Sequence, residues 1–112
     1  MKFLLKLFVI CAIVLSFNCN IVLAEDVDLD AGESIFTANC AACHAGGNNV
    51  IAAEKTLQIE VLHDNGMDSI DAIMTQVKNG KSSMPAFGDR LVSEEVVNVA
   101  NFILNQATTH NW

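Results

Sequence analysis

The string Cys40-Ala-Ala-Cys43-His44 holds two thiols three positions apart and an imidazole directly after the second. C-x-x-C-H is the attachment signature of c-type haem. Within a helical turn the two sulfurs point the same way and can form thioethers with the two vinyl groups of one porphyrin. His44 is then held under the iron, where its neutral ring supplies one axial bond. Two other chemistries use paired cysteines. A thioredoxin-like redox pair needs a βαβ context, which is missing here. A structural zinc site needs four ligands, and His63 and His110 lack the spacing to complete one.

The second axial position decides between electron transfer and catalysis, because an open sixth site lets iron bind oxygen, peroxide or another small molecule. Met67, Met74, Met84, His63 and His110 are the candidates. Met74 belongs to the apolar stripe of a helix, where core packing explains it. Met67 and His63 adjoin a turn, and His110 falls in a tail expected to be loose. Met84 precedes Pro85 in an irregular loop, so its backbone is restricted to extended conformations and its side chain is presented stiffly. It is assigned the sixth position. Histidine plus methionine favours ferrous iron and closes both faces, giving a carrier of single electrons with no catalytic residue. The rival class is a small peroxidase or haem sensor with a labile sixth ligand. Phe36, Phe87 and Phe102 are expected to line the apolar surroundings of the porphyrin.

Helices must position these groups. Asp30-Ala-Gly-Glu33 reads as a capping box that starts the first mature helix. Gly32, Phe36, Cys40 and Cys43 share one stripe of it, with Gly32 open to close approach by another helix. Residues 45–49 form a glycine- and asparagine-rich turn, and a short helix follows at about 57–63. Ile70, Ile73, Met74 and Val77 mark an amphipathic helix that Gly80 ends. Residues 81–91 form a loop. Ser93 is expected to cap the last helix, which buries Val96, Val99, Ala100, Ile103 and Leu104 and turns Asn98, Asn101 and Asn105 to the opposite side. No alternating run of strand length stands out. The fold class is all-α, with three to four helices around one haem.

Ahead of this unit, Lys2 and Lys6 flank the start of an apolar run from Leu4 through Phe17, and no acidic residue precedes Glu25. That pattern is a signal peptide over residues 1–24, cut between Ala24 and Glu25, in preference to a membrane anchor. Cleavage discards Cys11 and Cys19 and leaves a single domain over residues 25–112, with no disulfide framework and a core thin enough to need a prosthetic group. Loss of two lysines takes the formal charge from −7 to −9. So acidic a surface repels nucleic acid and anionic membranes, which excludes both as partners and leaves no stable membrane insertion of the mature form.

The strings Ala41-Ala-Cys-His-Ala-Gly-Gly-Asn-Asn49, Gln76-Val-Lys-Asn-Gly-Lys81 and Met84-Pro-Ala-Phe-Gly88, with Arg90-Leu91 and the final Trp112, resemble the cytochrome c6 (cytochrome c-553) family of algae and cyanobacteria from about Asp28 onward. The resemblance implies a class I cytochrome c fold, haem c attached through Cys40 and Cys43, and axial ligation by His44 and Met84. It implies a monomeric carrier in the thylakoid lumen of a plastid or cyanobacterium, taking electrons from cytochrome f of the b6f complex and passing them to photosystem I. By the same resemblance Gln76 tunes the haem and Arg90 lies where photosystem I docks; their ordinary readings are a boundary residue and an ion pair with Asp89. Asp89 stands where many family members have glycine, and Phe102 where tyrosine is frequent.

Overall fold

Capping side chains set the starts of the three longest helices among residues 26–112, and a positive-φ glycine ends one of them. The computed structural model describes residues 1–16 and 26–112, so the expected cleavage point between Ala24 and Glu25 lies outside the described residues. Six α-helices and one 3-10 turn occur among the described residues: α1 (Lys2–Ser16), α2 (Leu29–Asn39), α3 (Ala41–His44), the 3-10 turn (Ala45–Gly47), α4 (Ile59–Asp64), α5 (Ile70–Asn79) and α6 (Ser93–Thr108). No strand is present among them, only an isolated antiparallel bridge between Lys81 and Met84. α1 leaves Phe3, Leu4, Leu5 and Phe8 largely exposed. No helix among the described residues is long and apolar enough to cross a membrane.

α5 follows the sequence rules closely. The Ser69 hydroxyl accepts from the Ala72 N–H at 3.2 Å, and Gly80 ends the helix at φ 66° and ψ 178°. Ile73 and Val77 are buried. Two helix starts differ from expectation. α2 is capped by Asp28, whose carboxylate accepts from the Ala31 N–H at 3.0 Å, while Asp30 sits in the first turn. The cap moves two residues earlier because Asp28 is also tied by its own N–H to Asn98 Oδ1 at 3.0 Å, a tertiary bond that the local pattern does not encode. In α6 the cap position falls on Val92, whose N–H donates to Glu95 Oε1 at 3.0 Å, and Ser93 is the first helical residue. The Glu95 carboxylate satisfies a backbone donor there and suits the positive end of the helix dipole.

The crossing of α2 and α6 forms the centre of the molecule. Gly32 has no room for a side chain: a methyl there would run into the Asn98 carbonyl oxygen and come within 2.8 Å of Phe102 Cβ. Asn98 is consequently buried, contrary to its expected place on the outer side with Asn101 and Asn105, and its amide oxygen is satisfied by Asp28. Phe36, Ile73, Val77, Phe87, Val96, Val99, Ala100, Phe102 and Ile103 form one buried cluster. Each buried valine or phenylalanine contributes about 1.5–3 kcal/mol of transfer free energy.

Candidate functional site

The last turn of α2 delivers the first cysteine. The Cys40 N–H still donates to the Phe36 carbonyl at 2.8 Å, and the Cys40 carbonyl then accepts from the N–H groups of Cys43 at 3.1 Å and His44 at 2.9 Å. One helical turn therefore separates the two thiols and sets the imidazole directly after them. Cys40 is half-buried against the central cluster, whereas Cys43 is exposed. Burial, and secondarily the neighbouring Cys43, push the Cys40 thiol up to about 11. A neutral, desolvated thiol is the opposite of the low-pKa thiolate that redox-active C-x-x-C pairs maintain.

His44 is oriented by its own loop. Its Nδ1 lies 2.9 Å from the Asn48 carbonyl oxygen, which can only accept, so the proton resides on Nδ1 and the lone pair on Nε2. This is the tautomer a metal-ligating histidine needs, with a carbonyl partner that fixes the orientation of the ring. The return of the chain to Asn48 depends on Gly46 at φ 64° and Gly47 at φ 74°. The Gly47 carbonyl accepts from the Leu57 N–H at 2.7 Å, and the Leu57 carbonyl accepts from the Trp112 indole N–H at 2.9 Å.

Met84 is delivered by a different device. After Gly80, Lys81 and Met84 exchange backbone hydrogen bonds of 3.0 and 2.9 Å around a two-residue turn in which Ser82 takes φ 52°. Phe87 and Gly88 then donate to the Val77 and Lys78 carbonyls at the end of α5. Met84 is half-buried against the same cluster as Cys40, and its sulfur accepts from the Gln76 side-chain amide at 3.6 Å. Gln76 thus touches the thioether directly.

The competing ligands occupy other roles. Met74 packs against the core from α5. The Met67 N–H donates to the Leu62 carbonyl at 2.7 Å. His63 is exposed and pairs with Asp68 at 2.8 Å. His110 is exposed, but its tail is ordered, contrary to expectation: Gln106 and Asn111 share three hydrogen bonds and Trp112 packs inward. Arg90 makes no ion pair with Asp89; its guanidinium lies 5.2 Å from the centroid of the Phe87 ring, a cation–π contact.

The residues fit a c-type haem by the chemistry of their donors. The chain offers an imidazole with a free Nε2, a soft thioether and two thiols one turn apart, and Cys40 and Met84 pack against the same core cluster as the partly buried Leu57, Met74 and Leu91. Phe36, Phe87 and Phe102 lie beneath that surface in the buried cluster, with the Phe36 and Phe102 rings 5.5 Å apart. Asn48 and Trp112 are the site-supporting residues that the ligand motif does not reveal. The glycine pair ahead of Asn48 was the available signal for a chain reversal under His44.

A family model described as cytochrome c oxidase, cbb3-type, subunit III matches residues 27–103. The chain is 54% identical over 107 residues to cytochrome c6 of Gracilaria tenuistipitata var. liui, covering 96% of each protein. Over 80 residues it is 60% identical to cytochrome c6 of Pyropia tenera, covering 71% of this chain and 94% of that protein. The solved structure of cytochrome c6 from the diatom Phaeodactylum tricornutum superposes with a TM-score of 0.71 at 54% identity, covering 73% of this chain and 97% of the diatom protein.

Proposed function

The chain belongs to the cytochrome c6 family of electron-carrying c-type cytochromes, and from that premise we propose that it carries one electron at a time from cytochrome f of the b6f complex to photosystem I. The observation that carries the reading is the His44 tautomer: a ring whose Nδ1 proton is committed to the Asn48 carbonyl offers Nε2 as a ligand. Cys40 and Cys43 would hold haem c through thioethers, with His44 and Met84 as its axial ligands. The haem, when bound, supplies a one-electron iron couple. The chain supplies a half-buried thioether held by Gln76, and the partly buried apolar side chains packed on the same cluster would limit access of water to the metal.

The site of action is a thylakoid lumen, after removal of residues 1–24. Two observations support that processing: α1 exposes its apolar side chains, and the alignment with the Pyropia tenera protein fills 94% of that relative with only 80 residues of this chain. The mature form would act as a soluble monomer. Arg90, free of Asp89 and held on Phe87, would be available to an acidic group on photosystem I. The net acidic surface would steer the carrier toward basic patches on its partners.

Three measurements test this. The mass of the exported protein should equal residues 25–112 plus one haem. Flash-induced reduction of photosystem I by the purified protein should slow as salt rises, because screening shortens the steering field. A rate indifferent to ionic strength would remove the steering, and ready carbon monoxide binding by the wild-type protein would favour the peroxidase or sensor class.

A further inference from the structure

The C-terminal residue is built into the support of His44. The Trp112 indole ring lies against Phe36 at 5.3 Å between ring centroids and against Phe102 at 6.2 Å, edge-on. Its other side covers Gly47, where a methyl group would come within 2.5 Å of the indole Cγ. Its N–H donates to the Leu57 carbonyl at 2.9 Å, and the Leu57 N–H donates to the Gly47 carbonyl at 2.7 Å. Gly47 directly precedes Asn48, whose carbonyl takes the Nδ1 proton of His44. The tail that brings Trp112 there is itself fixed. His110 takes φ 50°, and Gln106 and Asn111 exchange three hydrogen bonds.

We propose that Trp112 is a positioning residue for the axial histidine: by clamping residues 47 and 57 it fixes the Asn48 carbonyl under the His44 ring and so helps to set the reduction potential of the iron. The inference rests on the ligation by His44 proposed above. The physical link is the hydrogen bond at Nδ1. A carbonyl accepting that proton makes Nε2 a stronger donor and favours ferric iron. When the clamp loosens, the Asn48 carbonyl samples longer distances, Nε2 donates less, and ferrous iron gains. The potential rises.

The test uses the haem-loaded full-length mature protein. Trp112→Phe keeps an aromatic ring over Gly47 but removes the N–H that holds Leu57, and deletion of Trp112 removes both. Leu62→Val, at a buried position outside the central cluster, serves as a control for general loss of stability. Hyperfine-shifted imidazole proton signals in the ferric wild type first establish His44 as a ligand; their absence would refute the ligation itself and leave the clamp without an object. With those signals present, Trp112→Phe should raise the midpoint potential and move the Nδ1 proton signal, and the deletion should do so further. The bound is a tenfold change in the ferrous-to-ferric ratio, about 59 mV for one electron. Leu62→Val should lower the melting temperature and move neither quantity. Unchanged potential and Nδ1 signal in both Trp112 variants, with only a lower melting temperature, would overturn the proposal and reduce Trp112 to core packing.

Discussion

The two arms that present His44 and Met84 are held by opposite kinds of contact. The histidine arm is secured from a distance: Trp112 reaches back across 55 positions to Leu57, and Asn98 reaches across 70 to the start of α2. The methionine arm is secured by neighbours, since Met84 bonds to Lys81 three positions away and to Gln76 eight away. Each arm contains a positive-φ glycine with no space for a side chain, yet the obstacles differ. At Gly47 the obstacle is the Trp112 ring, whereas at Gly80 it is the loop's own backbone, the Met84 carbonyl oxygen at 2.5 Å and the Ala86 nitrogen at 2.7 Å. A long-range clamp is lost only when the domain opens, whereas a local loop can open by itself. Of the two proposed axial ligands, Met84 is therefore the one that should leave first.

The largest expected effect comes from removing that ligand. Met84→Ala should keep the covalent haem, since both cysteines and His44 remain, but abolish the sulfur-to-iron charge-transfer band in the red. It should also admit carbon monoxide and lower the potential, because the thioether's preference for ferrous iron is gone. Optical spectra of the ferric and carbon monoxide-treated ferrous forms check all but the potential, which a redox titration gives. A variant that kept the band would show that another sulfur ligates the iron, and the comparison between arms would need a different second arm.

Next in size is Gly80→Ala. At φ 66° and ψ 178° the position is accessible to glycine almost alone, and a methyl would also meet Met84 and Ala86. The cost, about 1–3 kcal/mol or more, should fall on the methionine arm. In a denaturant titration the charge-transfer band should disappear well before the helical circular dichroism. If both signals still vanished together, the methionine arm would not be an independent unit.

The helices that carry these arms were legible in the sequence to the extent that their signals were local. Ser69, the Ile70 to Val77 stripe and Gly80 sufficed for α5, and C-x-x-C-H with a methionine before proline sufficed to nominate the donors. What escaped was tertiary. Asn98 looked like a surface residue because a helical wheel cannot show that Gly32 lets α2 approach closely enough to bury it. The cap at Asp28 depends on the same Asn98. The support of His44 by Asn48 is a backbone contact, so no side-chain motif announces it. The tail looks loose in the sequence because the local bonds between Gln106 and Asn111, five positions apart, follow no capping motif, and the aromatic seat of Trp112 exists only once α6 is packed.

Gln76→Leu should have a smaller effect, confined to the methionine arm. The Gln76 amide points the positive end of its N–H dipole at the Met84 sulfur, which disfavours the more positive ferric iron. Without it the potential should fall, by less than the ~59 mV of a tenfold change, while the charge-transfer band persists. The direction is opposite to that expected for Trp112→Phe, so the pair of variants separates the arms by sign in the same redox titration.

The smallest effect belongs to a region outside both arms. His63 and Asp68 form an exposed pair between α4 and α5, and their mutual hydrogen bond is the leading cause that raises the histidine above its ordinary 6.5 and lowers the carboxylate below its ordinary 3.8. A raised histidine contributes stability that is fully present below 6.5 and is lost as pH climbs through its folded value. A lowered carboxylate contributes stability that is present above 3.8 and is lost as pH falls through its folded value. The pair therefore acts in the weakly acidic window between those limits, and salt screens it because both groups are exposed. Asp68→Asn should lower the melting temperature slightly in that window at low ionic strength, and the effect should fade as pH climbs through the folded value of the histidine. The potential and the charge-transfer band should not move at any pH. A shift in either would mean that the turn between α4 and α5 communicates with the methionine arm through α5, and the division into one globally and one locally secured ligand would no longer hold.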